Sequence, residues 1–107
     1  MVSPRRFDVY LVALDPTVGA EIKKTRPCVV VSPDEANRQV QTVVVAPMTT
    51  TLRRFPFRVD ARFENRDSQI AIDQIRVVDR RRLHRRLGAI SDEAARTLGA
   101  ALVEFFS

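Results

Sequence analysis

Arg26-Pro27-Cys28-Val29-Val30-Val31-Ser32 and Val40-Gln41-Thr42-Val43-Val44-Val45-Ala46-Pro47-Met48 decide the fold. Both stretches are short, rich in β-branched residues and apolar through their centres, which is the pattern of strands buried in a sheet. Pro27 is tolerated near the start of the first strand, where it cannot interrupt the ladder. Pro33-Asp34 turns the chain between the two. If the strands are antiparallel neighbours, the start of one meets the end of the other, and Arg26 comes near Thr49.

On the N-terminal side, Phe7 to Leu14 alternates with a period of two and reads as a strand, closed by Asp15-Pro16. Thr17 to Thr25 is polar, contains glycine and has no sustained period, so a mobile surface loop is expected there. On the C-terminal side, a polar loop begins at Thr49-Thr50-Thr51 and runs to Arg54. Phe55 to Ala61 and Ser68 to Ile72 read as two short strands, and Asp73 to Asp79 continues the sheet with Ile75 and Val77 on one face. Asp79 to Arg82 forms a turn or one helical turn, and Leu83 to Ile90 supplies a last strand bent or bulged at Gly88. Ser91 is a fitting N-cap, with Asp92 and Glu93 placing negative charge where the helix dipole favours it. Ala94, Leu98, Ala101, Leu102 and Phe105 then recur at helical spacing, predicting a helix to about Phe106 whose apolar stripe packs on the sheet.

Many short strands followed by one helix predict a mainly β barrel or half-barrel with a C-terminal α-helix. A chain of 107 residues, 45% of them hydrophobic, builds one core, so residues 1–107 are expected to form a single domain. The longest apolar runs fall far short of the roughly 20 residues a membrane-spanning helix needs. The opening Met1-Val2-Ser3-Pro4-Arg5-Arg6 has no apolar leader segment, which predicts the cytoplasm. The single cysteine, Cys28, sits in an apolar run and reads as a buried thiol.

The net charge is +5, and its distribution is uneven: residues 1–50 carry +1, residues 51–90 carry +6, and residues 91–107 carry −2. A cationic middle attracts polyanions, so nucleic acid is the first partner to consider and an acidic protein the second. One histidine, one cysteine and no glycine-rich phosphate loop exclude most metal and nucleotide enzymes, and no cofactor is expected. His84 lies among arginines, and no second histidine offers a paired acid and base. Arg26 and Thr49 remain. A permanent guanidinium and a hydroxyl donor can together hold a phosphate and stabilise charge building on its oxygens. On composition alone Arg-Pro and Thr-Thr-Thr are weak signals, and a strand-start arginine with a solvated threonine loop is the simpler reading.

As an ordered set, the motifs resemble a known family. Phe7-Asp8-Val9-Tyr10, Leu14-Asp15-Pro16-Thr17-Val18-Gly19, Glu21 to Pro27 and Val29-Val30-Val31-Ser32 look like the opening of the MazF/PemK toxins of bacterial toxin–antitoxin pairs. Val45-Ala46-Pro47-Met48-Thr49, Asp73 to Asp79, Arg82-Leu83 and Leu87-Gly88 are similar to that family's later segments, in the same order. The resemblance implies an SH3-like barrel of the CcdB/PemK type, forming a homodimeric endoribonuclease neutralised by a cognate acidic antitoxin. It implies metal-independent cleavage of single-stranded RNA at short sequences, leaving 2′,3′-cyclic phosphate and 5′-hydroxyl ends. It maps the catalytic arginine onto Arg26 and the catalytic threonine onto Thr49, with Glu21, Lys23, Lys24, Asp73 and Gln74 lining an RNA channel in which Gln74 can read base edges. Phe7 stands where the family usually has glycine, Ala20 where many members have serine, and the specificity loop from Arg53 to Asp67 matches no readable motif.

Two alternatives are weighed against this reading. A non-catalytic gyrase inhibitor of the same barrel, like CcdB, relies on a tryptophan-containing C-terminus, whereas this chain has no tryptophan and ends Glu104-Phe105-Phe106-Ser107. A plain RNA-binding module would bind RNA without product. The charge map further predicts that RNA and an acidic antitoxin compete for the cationic surface around residues 53–86.

Overall fold

The computed structural model describes residues 3–107, so Met1 and Val2 of the N-terminal reading lie outside it. The strands are β1 (Asp8–Ala13), β2 (Thr25–Val30), β3 (Thr42–Thr49), β4 (Arg58–Phe63), β5 (Arg66–Ala71), β6 (Arg76–Asp79) and β7 (Leu83–Ala89). A short helix α1 (Asp34–Gln39) separates β2 from β3, and α2 (Asp92–Phe106) ends the chain. The strand order is β4-β5-β3-β2-β1-β7, with β6 pairing on β3, and every pairing is antiparallel. This is the expected mainly β half-barrel with a C-terminal helix.

The pivot is β3. Its first half, Thr42 to Val45, pairs with β6, whereas Met48 and Thr49 pair with Ile70 and Gln69 of β5. Pro47 stands between, at the point where β3 exchanges one neighbour for another and a missing N–H does least harm. The curl follows from one strand serving two sheets.

Both faces of the central strands are buried, which explains their unbroken apolar runs. On β2, Val29 joins Val9, Ala46, Met48, Ile70, Ile72 and Leu98 in one core cluster, while Cys28 and Val30 join Val12, Leu14, Val43, Val45 and Val78 in the other. Cys28 is fully buried, as expected, and burial pushes its thiol up to about 12. Ser91 caps α2 by accepting from the Ala94 N–H at 3.1 Å, and Leu98 is its one fully buried residue.

Four expectations are corrected. The helix α1 is too short and too polar for a periodic signal; it is anchored by Asn37, whose buried side chain donates to the Pro4 and Ser32 carbonyls and accepts from the Ser32 hydroxyl. The strand read at Phe55–Ala61 lies instead at Arg58–Phe63, and the next begins at Arg66, so a two-residue turn joins them. Ile72–Gln74 is a 3₁₀ turn rather than strand. Phe105 does not bury itself in the sheet: it is 41% exposed and rests on Phe57, with ring centroids 5.8 Å apart. The predicted irregularity at Gly88 is present, since Val9 faces Gly88 but Tyr10 faces Arg86, leaving Leu87 as the extra residue.

Candidate nucleic-acid cleavage site

The β2–β3 ladder runs Cys28↔Pro47, Val29↔Ala46 and Val30↔Val45, and continuing that register sets Arg26 opposite Thr49. The two do meet. They line one cleft of about 300 Å³ together with Thr50, Phe63, Glu64, Arg66 and Ser68. The antiparallel pairing assumed from the sequence is therefore observed.

Each side chain is held for use. The Arg26 Nε–H donates to the Lys23 carbonyl at 3.1 Å, which fixes the plane of the guanidinium and leaves its two terminal nitrogens clear. Among the described residues Arg26 is ion-paired to no carboxylate. The Thr49 hydroxyl oxygen accepts the Thr51 N–H at 3.0 Å, so its own proton is left to donate. A clear guanidinium edge beside a hydroxyl donor is suited to a phosphate.

The other residues singled out from the sequence play different parts. Glu21, Asp73 and Gln74 line a second depression of about 310 Å³ beside Pro47 and Arg76. The Gln74 amide is committed to the chain itself: Oε1 accepts the Ile22 N–H at 2.9 Å and Nε2 donates to the Ala20 carbonyl at 3.2 Å. The Glu21 carboxylate accepts the Val18 N–H, closing a local turn. Asp73 forms a two-pronged pair with Arg58, at 2.6 and 3.0 Å, and this hydrogen bonding holds its carboxyl below the usual range. Lys23 and Lys24 are exposed and line neither hollow, though the Lys24 N–H donates to Asp15 and its carbonyl accepts from Leu14. Residues 17–24 were expected to be mobile. Instead Gln74, Asp15 and the Glu21 turn tie them down, and two arginines secure the strand end that leads into them: Arg76 donates to the Leu14 carbonyl, Arg82 to those of Ala13 and Asp15.

The guanidinium donors of the cationic middle are likewise largely committed, while its net charge stands. Of the eleven arginines in residues 51–90, Arg58, Arg62, Arg81 and Arg86 pair with Asp73, Asp67, Asp79 and Asp8, and Arg76, Arg80 and Arg82 donate to backbone carbonyls. Arg53, Arg54, Arg66 and Arg85 have no carboxylate partner among the described residues, and of these Arg66 enters the cleft. His84 is exposed on β7, away from the residues that line the cleft. Sequence reasoning missed Phe63, Glu64 and Arg66, because the strand before their turn was read as ending too early and the strand after it as starting too late. It also missed Gln69, a buried amide that bonds both backbone groups of Arg53 and the Asp60 carboxylate, and so clamps the loop after Thr49.

Comparison with known proteins agrees with this architecture. An endoribonuclease MazF of Staphylococcus saprophyticus is 33% identical over 104 residues, covering 92% of this chain and 87% of that protein. The crystal structure of MazF from Deinococcus radiodurans superposes with a TM-score of 0.86 at 20% identity, covering 99% of this chain and 98% of that one. A mycobacterial endoribonuclease solved with its cognate antitoxin gives a TM-score of 0.81 at 24% identity, over 95% of this chain and 93% of that one. The sequence pattern of the PemK-like, MazF-like toxins matches residues 5–106, and the chain belongs to that family of type II toxin–antitoxin toxins.

Proposed function

We propose that this chain is an endoribonuclease toxin that cuts single-stranded RNA in the Arg26–Thr49 cleft. The carrying observation is that Arg26 and Thr49 line one cleft, with the guanidinium plane held by the Lys23 carbonyl. The scissile phosphate sits against the two terminal nitrogens of Arg26, and the Thr49 hydroxyl donates to a phosphoryl oxygen. The neighbouring 2′-hydroxyl gives its proton to water as its oxygen attacks phosphorus, and the departing 5′-oxygen takes a proton from water as its bond breaks, giving 2′,3′-cyclic phosphate and 5′-hydroxyl ends. Arg26 stabilises the charge that grows on the equatorial oxygens; it stays protonated throughout, so it is no general base. Lys23 and Lys24, exposed on the loop that leads to Arg26, steer the strand inward. Glu21, Asp73 and Gln74 contribute to RNA binding by shaping that loop and the floor beside it.

A cognate antitoxin silences the enzyme by covering this cleft with acidic side chains, in competition with RNA. The working form is a homodimer in the cytoplasm. Its support is the apolar surface at the end of α2, where Val103 is 70% and Phe106 66% exposed, an arrangement that favours burial against a partner. No helix among the described residues is long and apolar enough to cross a membrane. No observation favours a gyrase inhibitor.

The test is incubation of the purified protein with a long single-stranded RNA, with and without EDTA, beside Arg26→Ala and Thr49→Val. Discrete EDTA-resistant cuts bearing cyclic phosphate ends, lost in a folded Arg26→Ala protein, are expected. Undiminished cutting by that variant removes the site assignment, and tight RNA binding without product leaves a binding module. Sedimentation at micromolar concentration tests the dimer.

A further inference from the structure

The cleft has two walls, and only one of them is used by the chemistry above. Arg26 and Thr49 take the phosphate, while Phe63, Glu64 and Arg66 form the facing wall. These three surround the two-residue turn between β4 and β5, where Phe63 pairs with Arg66 and Glu64 and Asn65 take φ of +50° and +62°. That is the left-handed turn that suits a two-residue hairpin, and it favours Asn, Asp or Gly at both positions. Asn65 fits it, but a glutamate at the first position is disfavoured locally. The Glu64 carboxylate is also unclaimed. The nearby Arg62 guanidinium goes to Asp67 and to the Asn65 carbonyl, and among the described residues no cation pairs with Glu64. Phe63 is held in place from behind, because its ring lies on Gly88, close enough that a Cβ there would stand 3.6 Å from two ring carbons.

Resting on the RNA-cleavage reading, we propose that this turn reads the base next to the scissile phosphate and that the base is guanine. A fixed aromatic ring in a phosphate cleft is a stacking platform for an unpaired base. A carboxylate beside it accepts hydrogen bonds and donates none. Guanine presents N1–H and the N2 amino group side by side, so both oxygens of Glu64 are used. Adenine and cytosine offer one amino group and uracil one imino N–H, so each leaves an oxygen unsatisfied. Arg66, across the turn, offsets the negative charge that Glu64 brings near a phosphate.

The experiment uses the full-length protein on a pool of single-stranded RNA with randomised sequence, with the 5′-hydroxyl ends sequenced for wild type and for Glu64→Gln. The turn is exposed, so Glu64→Gln leaves the fold intact, checked by circular dichroism. Wild type is expected to place guanine on one fixed side of the cut. In Glu64→Gln the preference for guanine over the other bases is expected to fall about tenfold or more, the scale set by loss of a two-bond base contact. Cuts without guanine enrichment, or an unchanged preference in the variant, overturn the proposal while leaving the ribonuclease reading standing. Loss of cleavage at every sequence, with loss of the acidic limb of the pH–rate profile, also overturns it, because Glu64 then takes the 2′-hydroxyl proton instead of reading a base. No cutting by wild type removes both readings.

Discussion

Replacing Gln74 by alanine separates a residue that touches RNA from one that holds a loop. Its amide makes two bonds that close the 17–24 loop onto the 3₁₀ turn, at 2.9 Å from the Ile22 N–H and 3.2 Å to the Ala20 carbonyl. Each partly exposed bond contributes about 1 kcal/mol net, so their loss costs about 2 kcal/mol and raises the open-loop population roughly thirtyfold. The Lys23 carbonyl that orients Arg26 lies on the same stretch, so the loss reaches the guanidinium. Hydrogen exchange reads this directly: Ile22 is expected to lose about that factor of protection, while Val29 in the ladder of β2 keeps its own. Cleavage falls with it, and Gln74→Glu, which keeps the acceptor for Ile22 but loses the donor to Ala20, recovers part of both. An Ile22 amide unmoved in Gln74→Ala, with cleavage nonetheless lost, refutes the reasoning and returns Gln74 to the RNA.

Three further outcomes are expected. Leu98→Ala, at the fully buried contact of α2, costs about 2–5 kcal/mol in denaturant unfolding, and a loss under 1 kcal/mol contradicts its place in the core. Because Arg58 holds the Asp73 carboxyl below its ordinary value, the pair's contribution is complete above the ordinary carboxylate pKa of about 4 and is lost as pH falls through the lowered one. Asp73→Asn should therefore flatten the stability profile below about pH 4, and an unaltered slope in unfolding at pH 2–5 counts against the pair. Cys28, buried with its thiol pushed up to about 12, resists alkylation at pH 8 until the chain unfolds, so rapid labelling of the native protein contradicts that burial.

The strands around Arg26 and Thr49 were legible because burial on both faces writes itself as unbroken valine runs, and register then joins residues far apart in sequence. The β4–β5 turn was not legible: Arg62, Asp67 and their neighbours are polar on the exposed face, so the ends of both strands looked like loop. The Asn37 helix was invisible for another reason, since one buried amide bonding to Pro4 and Ser32 does the work that periodicity does elsewhere. Charge counting gave the sign of the middle of the chain but not which donors stay free, because a guanidinium pledged to a carbonyl, as in Arg76 or Arg82, looks the same in a sequence as one with open nitrogens. The loop roles of Gln74 and Glu21 rest on backbone partners, which no side-chain pattern records.

The β2 and β3 strands that carry Arg26 and Thr49 each have neighbours on both sides, β1 beyond one and β5 and β6 beyond the other. Both residues therefore hang on strands anchored from two sides, the part of a sheet that opens last. An inhibited state of such an enzyme is therefore an intact one under a cover. On the proposed reading, recovery is timed by how fast a cover leaves, with no refolding delay.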